Sequence, residues 1–284
     1  MKSTKKTVLV TGCSSGFGRL TVQALLARGH RVFAGVRARG PGDEALGPDL
    51  IELDVSRDRS VDEAFRAIAA STTSLDAVVN NAGVSAMGVA EGFSAAQLLA
   101  LLEVNVVGAH RVDRGALPLM KPRREGLLAH VSTGLARMPM PCFGPYAASK
   151  AALEALVETY RYELAPLGIE AMLFEPGAYP TSLGANALAP EDVERVGTYG
   201  PLADLPKRMM EGLAGLFASP NAPDVHDVPN AIVAAIEAEP GTRPLRVVVG
   251  GMGSAVSELN ALTDRLQAET LRAQGLEALL RRTP

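Results

Sequence analysis

Cysteine is scarce: Cys13 and Cys142 are the two in 284 residues. They cannot build a disulfide framework, and a chain with so few is expected to keep them as thiols in a reducing cytosol. Long apolar runs are lacking too. The longest, about residues 95–109, is broken by Gln97, Glu103 and Asn105, which excludes a membrane span there. Lys5-Lys6 leads straight into Thr7-Val8-Leu9-Val10, too short for a signal-peptide core, so no targeting segment is expected. Positive charge is not in excess: 28 Lys and Arg stand against 31 Asp and Glu, for a net charge of −3. That excludes the basic stripe of a nucleic-acid binder. The four histidines, His30, His110, His130 and His226, are scattered without metal-ligand spacing and read as packing or surface residues. The expectation is a cytoplasmic chain that binds no metal, nucleic acid or membrane.

What is present is ordinary globular composition, 47% hydrophobic and 21% charged, with length enough for a sizeable core. Short apolar runs at 7–10, 30–36, 51–53, 75–79, 127–131, 169–174 and 246–249 predict seven strands. They are apolar throughout rather than alternating, as parallel strands buried on both faces are. Helical patterns fall between them: from the glycine turn to Arg28, at 60–70, at 94–120, and from Pro145 to about 167, where Gly168 stops the helix. Strand–helix alternation predicts an α/β fold, a doubly wound parallel sheet of about seven strands with helices on both faces. Its ligand is expected at the carboxyl ends of the strands. There is no internal repeat or low-complexity linker, so residues 1–284 are expected to form one domain. Residues 182–239, rich in Pro, Ala, Leu and Met, are expected to cap the site. Residues 254–284 are expected to form a helical tail, with leucines at 259, 262, 266 and 271.

Two motifs carry chemistry. The first is Thr11-Gly12-Cys13-Ser14-Ser15-Gly16-Phe17-Gly18, between the first strand and its helix. Glycines 12, 16 and 18 let backbone approach a pyrophosphate, and the helix N-terminus offers it free N–H groups. Cofactor choice turns on the end of the second strand, Gly35-Val36-Arg37-Ala38-Arg39, which has no acid to bind a ribose 2′-hydroxyl. Arg37 instead offers a planar fork for a 2′-phosphate, which favours NADP(H). Asp54, before Val55, is placed either to accept a hydrogen bond from the adenine amino group or to cap the following turn. Cys13 reads as a small filler of the turn. The second motif is Tyr146-Ala147-Ala148-Ser149-Lys150, a phenol and an ammonium one helical turn apart on one face.

In this order the motifs resemble the short-chain dehydrogenase/reductase family, and in particular its steroid and retinol dehydrogenase-like branch. The resemblance covers about residues 7–181 and implies a Rossmann-like domain. It implies that Gly12, Ser14, Ser15, Gly16, Phe17 and Gly18 hold the cofactor, with Asp54 and Val55 after the third strand. Asn81, Ala82 and Gly83 of Asn80-Asn81-Ala82-Gly83 border it. Pro176, Gly177 and Thr181 of Pro176-Gly177-Ala178-Tyr179-Pro180-Thr181 contact its nicotinamide carboxamide. Tyr146 and Lys150 match the catalytic pair, and Asn105 the helix-interior asparagine that holds a relay water. One departure stands out. The family's serine, thirteen residues before the tyrosine, falls on Thr133 here, with Ser132 one place earlier. Threonine supplies the same hydroxyl. A one-residue shift at a strand end would turn Ser132 to the other face, which favours Thr133.

The implied reaction interconverts a carbonyl and an alcohol by hydride transfer. Tyr146 serves as general acid or base, and Lys150 lowers its pKa from the ordinary value of about 10 and holds the nicotinamide ribose. Thr133 orients the substrate oxygen, and Asn105 links Lys150 to solvent. Met138, Met140, Phe143, Tyr179, Met209, Met210 and Phe217 are candidate walls of a substrate pocket, and their apolar character suits a lipophilic ketone, aldehyde or alcohol. A non-catalytic NADP(H)-binding sensor and an isomerase or dehydratase on the same scaffold remain alternatives. The family resemblance implies a homodimer or homotetramer, associating through the helices near 94–120 and around Tyr146.

Overall fold

A computed structural model describes residues 5–251 and 253–280. Seven parallel strands make one sheet in the order β3-β2-β1-β4-β5-β6-β7. They are β1 (Thr7–Thr11), β2 (Arg31–Val36), β3 (Leu50–Glu52), β4 (Ala77–Asn80), β5 (Gly126–Val131), β6 (Ile169–Pro176) and β7 (Arg246–Val249). The strand order reverses between β1 and β4, so a crevice opens at their carboxyl ends.

The strands alternate between two cores. Val8, Val10, Leu127, Ala129, Met172 and Phe174 face one layer, packed with α1 (Gly16–Ala27) and α9 (Asp227–Glu237). Leu9, Val78, Leu128, Ala171 and Leu173 face the other. There they meet α2 (Asp58–Ser71), α4 (Ala109–Met120) and α5 (Gly144–Leu164). Both faces of each central strand are thus covered, which explains the unbroken apolar runs. α3 (Ala95–Leu102) opens with a capping box of Ser94 and Gln97. It then joins α4 through a π-helical stretch, Glu103–Gly108, within the single helix expected at 94–120. α5 has Pro145 in its first turn, and the chain leaves it at Gly168, whose φ of +72° suits glycine.

The segment 182–239 divides in two. α6 (Ser182–Ala185), α7 (Val193–Gly197) and α8 (Leu205–Phe217) lie outside the cores. This part docks on the loop after β4: Met87 donates its N–H to the Leu188 carbonyl (3.0 Å), and Leu188 donates to that of Ser85 (2.8 Å). α9 differs from the expected cap. Val228, Ile232, Val233 and Ile236 are fully buried against the sheet, and the period of Val228-x-x-x-Ile232-Val233-x-x-Ile236 is that of a core helix face. α10 (Gly253–Ala273) follows β7 as the expected tail helix, and residues 281–284 of that tail lie outside the described residues.

Candidate active site

The two motifs meet at the strand ends. Gly12 and Gly16 take φ of +70° and +55°, and a Cβ on Gly12 would sit 2.7 Å from the Ala82 Cα. One on Gly18 would sit 2.5 Å from the Asn81 Nδ2. Only glycine fits both places. Asn81 laces the turn to β4, donating from Nδ2 to the carbonyls of Thr11 (2.9 Å) and Gly12 (3.1 Å). The buried Thr11 hydroxyl accepts from the N–H groups of Asn81 (3.1 Å) and Ala82 (3.0 Å). Ser15 bonds the Ser182 hydroxyl (2.9 Å) rather than the helix behind it, and Ser14 is exposed. The amino end of α1 therefore has no side-chain cap from Ser15, as an anion site would require. Cys13 is fully buried, donates to the Val10 carbonyl (3.0 Å), and burial pushes its thiol pKa far up, which suits a filler.

At the end of β2, Arg37 is exposed. The carboxylate near that loop, Asp43, is buried. It accepts from the Gly40 N–H (2.8 Å) and pairs with Arg19 at 3.5 Å. Arg19, which sequence reasoning missed, also donates to the carbonyls of Gly42 and Ser14 and so ties the glycine turn to the loop after β2. Asp54 caps the turn that follows it, one of the two roles open to it. Its Oδ1 accepts from the N–H (3.0 Å) and hydroxyl (2.6 Å) of Ser56, which hold its pKa below the ordinary carboxylate value against the opposing pull of burial. Val55 is buried and would meet a Cβ at Gly108 at 2.8 Å.

Tyr146 lies on the opposite wall, buried on the first turns of α5 among Val84, Ala86, Phe93, Leu101, Leu135 and Phe143. The sequence reading found Phe143 alone of these; Val84 directly follows Gly83, and Leu135 lies two residues after Thr133. Burial pushes the phenol pKa well above its ordinary value, while a hydrogen bond with Thr133 opposes that. The expected lowering by Lys150 is not what sets this value. The Lys150 ammonium donates to the Val131 carbonyl (2.8 Å), and burial lowers its own pKa to about 8. Thr133 is buried and also donates to the Pro176 carbonyl (3.4 Å). Ser132 points elsewhere, to Glu154 (2.6 Å).

Asn105 sits in the π-helical stretch, where an extra residue per turn re-aims side chains. Its amide closes on Val84, accepting from the N–H and donating to the carbonyl at 2.9 Å each, and it donates to the Ser149 hydroxyl (2.9 Å). A Cβ on Gly83 would lie 3.2 Å from the Asn105 Oδ1 and 3.5 Å from the Lys150 Nζ, so Gly83 separates the two. Ala82 and Gly83 thus bridge the glycine turn to Lys150. Gly177 is pinned by the Val249 carbonyl (2.9 Å), and Thr181 lies 3.7 Å from a Cβ placed on Gly16, across the crevice.

The proposed pocket walls divide. Met138 and Phe143 are partly buried in the loop before α5, and Met140 is exposed there. Met209, Met210 and Phe217 are partly buried on α8, outside the Tyr146 cluster. Tyr179 is corrected. It lies in the α1–α9 core, edge-on to Phe17 (centroids 5.4 Å apart), with its hydroxyl donating to Asp227 (3.3 Å). Burial and that carboxylate push its pKa up to about 12. No three His, Cys, Asp or Glu side chains among the described residues gather as a metal site. No helix among them is long and apolar enough to cross a membrane.

A family model described as short chain dehydrogenase matches residues 6–192. The rat mitochondrial D-beta-hydroxybutyrate dehydrogenase is 33% identical over 205 residues, covering 67% of this chain and 59% of the rat protein. Human 11-beta-hydroxysteroid dehydrogenase type 2 is 31% identical over 271 residues, covering 87% of this chain and 64% of the human one. The chain thus spans less than two thirds of the length of these curated relatives. A crystal structure of a short chain dehydrogenase from Burkholderia cenocepacia J2315 in complex with NADP is 26% identical. It aligns with a TM-score of 0.67 over 95% of this chain and 99% of that one.

Proposed function

The chain belongs to the short-chain dehydrogenase family, and on that premise we propose that it is an NADP(H)-dependent oxidoreductase interconverting a lipophilic ketone or aldehyde with its alcohol. The observation that carries this reading is the Tyr146 phenol. It is buried in an apolar cluster, hydrogen-bonded to Thr133, and one turn from an ammonium that approaches the glycine turn through Gly83.

The residues present fit the dinucleotide. The tight turn that Gly12 and Gly18 allow against Ala82 and Asn81, and the amino end of α1 without a side-chain cap, suit a pyrophosphate held by Gly12, Ser14, Ser15, Gly16, Phe17 and Gly18. Arg37, exposed beside a loop in which Asp43 is already paired with Arg19, suits a 2′-phosphate, and the NADP-bound relative supports that choice. Asn81, Ala82, Gly83, Pro176, Gly177 and Thr181 would border the nicotinamide end. The bound cofactor supplies the hydride.

The chain's own residues handle the proton. In the reducing direction Tyr146 gives its proton to the developing alkoxide. Burial keeps that proton on the phenol until the charge appears, as a general acid requires. Thr133 holds the carbonyl oxygen beside the phenol. Lys150, cationic below about pH 8, stabilises the tyrosinate left behind and holds the ribose hydroxyls. Asn105 carries the relay onward from Lys150. Val84, Phe93, Leu135 and Phe143 give the carbonyl an apolar seat. Exposed Leu98, Leu99 and Val107 on the α3 side support association into a homodimer or homotetramer. The two free, buried cysteines suit a cytosolic setting.

The test is a screen of ketones, aldehydes and alcohols with NADP(H) and NAD(H). Turnover with at least one lipophilic carbonyl is expected. Tyr146→Phe should lower kcat by about 10²–10⁴ while leaving NADPH binding nearly unchanged. Undiminished turnover in that variant refutes the mechanism, and light scattering that shows a monomer refutes the assembly.

A further inference from the structure

Glu154 is buried at 2% exposure one helical turn beyond Lys150, and the proposed chemistry gives it no part. Tyr146, Lys150 and Glu154 follow one another at intervals of four on one face of α5. They grip three consecutive residues at the end of β5. Tyr146 bonds Thr133, Lys150 donates to the Val131 carbonyl at 2.8 Å, and Glu154 accepts from the Ser132 hydroxyl at 2.6 Å. The other oxygen of Glu154, Oε2, is buried without a hydrogen-bond partner among the described residues.

We infer that Glu154 is a positioning residue for the Tyr146–Lys150 pair: it pins Ser132, and with it the adjoining Thr133 hydroxyl, in register with α5, and its negative charge keeps Lys150 protonated. This rests on the function proposed above. The remaining oxygen of Glu154 leaves the carboxyl free to titrate, because no hydrogen bond commits that atom to one charge state. The groups around it pull both ways. Lys150 lies on its own helix. Glu175 faces it from β6, Arg246 from β7 and Arg137 from the loop after β5. Behind these stand Glu158 on α5 and Asp264 and Asn260 on α10, the first two paired with Arg246 and the last with Glu175. Burial, then Glu175, raises the Glu154 pKa to about 7. Burial lowers that of Lys150 to about 8, with Glu154 opposing the fall. Around neutral pH the carboxylate forms just where the ammonium would begin to lose its proton.

The charge role is read on the full-length chain without substrate or cofactor, by NMR of ε-¹³C-labelled lysine, with the Lys150 signal assigned by its loss in Lys150→Met. A midpoint near 8 is expected in the wild type. In Glu154→Gln, which keeps an acceptor for Ser132, it should fall by on the order of one pH unit. An unmoved midpoint overturns the charge role. The alkaline limb of the kcat profile should move down by the same amount. The register role is read in Ser132→Ala, which leaves the carboxylate in place. Its kcat should fall about tenfold, with NADPH affinity unchanged and the Lys150 midpoint no lower than in the wild type. An unchanged kcat overturns it. If the wild type reduces no carbonyl, the proposed function fails, while the lysine titration still decides whether Glu154 sets the charge of Lys150.

Discussion

Arg246 is the cation on which the polar cluster behind the site depends, and replacing it with methionine is the sharpest test of that dependence. Its buried guanidinium donates to Glu158 and Asp264 and lies 3.4 Å from the Glu175 Oε1. The last contact is an ion pair without hydrogen-bond geometry, since both of its atoms lack hydrogen-bond partners. Arg246→Met keeps most of the side-chain volume and removes the charge. Glu175 and Glu154, both buried, then face each other without it. Losing one member of a buried ion pair destabilises by about 3–5 kcal/mol. The lower end applies here, because Glu175 keeps Asn260 (2.6 Å) and Glu158 keeps Gln267 (2.6 Å). A loss of about 3 kcal/mol lowers the melting temperature by on the order of 10 °C at this size. The pH signature is more diagnostic. The folded-state pKa of Glu154 lies at about 7, against roughly 4.3 for an unfolded glutamate. Between those values the folded chain holds more protons than the unfolded one, so stability falls as pH rises through that window. Without Arg246 the carboxyl pKa values rise further, and the deficit of the variant should be larger at pH 8 than at pH 5. Urea unfolding followed by circular dichroism at both pH values measures it. Adding Glu175→Gln to Arg246→Met should recover part of the loss at pH 8. A deficit that is equal at the two pH values, or larger at pH 5, refutes the electrostatic account.

Two further outcomes concern the cofactor. Arg37→Ala should weaken NADPH binding at least about tenfold, the scale of a lost charge-assisted hydrogen bond, and leave NADH binding nearly unchanged. Fluorescence titration with both nucleotides measures this, and an equal loss for both would contradict the 2′-phosphate role. Gly18→Ala should abolish binding of either nucleotide and lower stability by about 1–3 kcal/mol, because the new methyl has to displace Asn81 Nδ2 or the Gly12 carbonyl. Wild-type affinity in that variant would show that the turn is not the cradle.

The sheet was legible because its strands are buried on both faces and its turns carry glycine where backbones crowd. Pro145 marked the start of α5, and Gly168 the end of the short 3-10 turn that continues it, both for local reasons. The alternation at the end of β5 was legible too: the Ser132 hydroxyl turns to Glu154 and that of Thr133 to the Pro176 carbonyl. The misreadings involve distant partners. Tyr179 looked like a pocket wall until Phe17 and Asp227 enclosed it. α9 was grouped with the cap because its neighbours in sequence are exposed, although its own apolar period was that of a core helix. For Asp54 the local partner was legible, since Ser56 lies two residues on and donates to its carboxylate. The cluster of Glu154, Glu175, Arg246 and Asn260 was invisible, since no periodicity links side chains brought together from α5, β6, β7 and α10.

That cluster also bears on how the chain is made. Synthesis runs from the amino end, and the sheet up to β6, with the whole of α5, can leave the ribosome before residues 246–264 exist. Until then Glu158 and Glu175 have neither Arg246 nor Asn260 to meet them. A nascent chain paused short of that point would already have α5 packed on β5 and β6, but would lack the buried cation and amide that meet these carboxylates and the Val249 carbonyl that pins Gly177. The last strand and the helix after it therefore add charge neutralisation to a core that is already largely assembled.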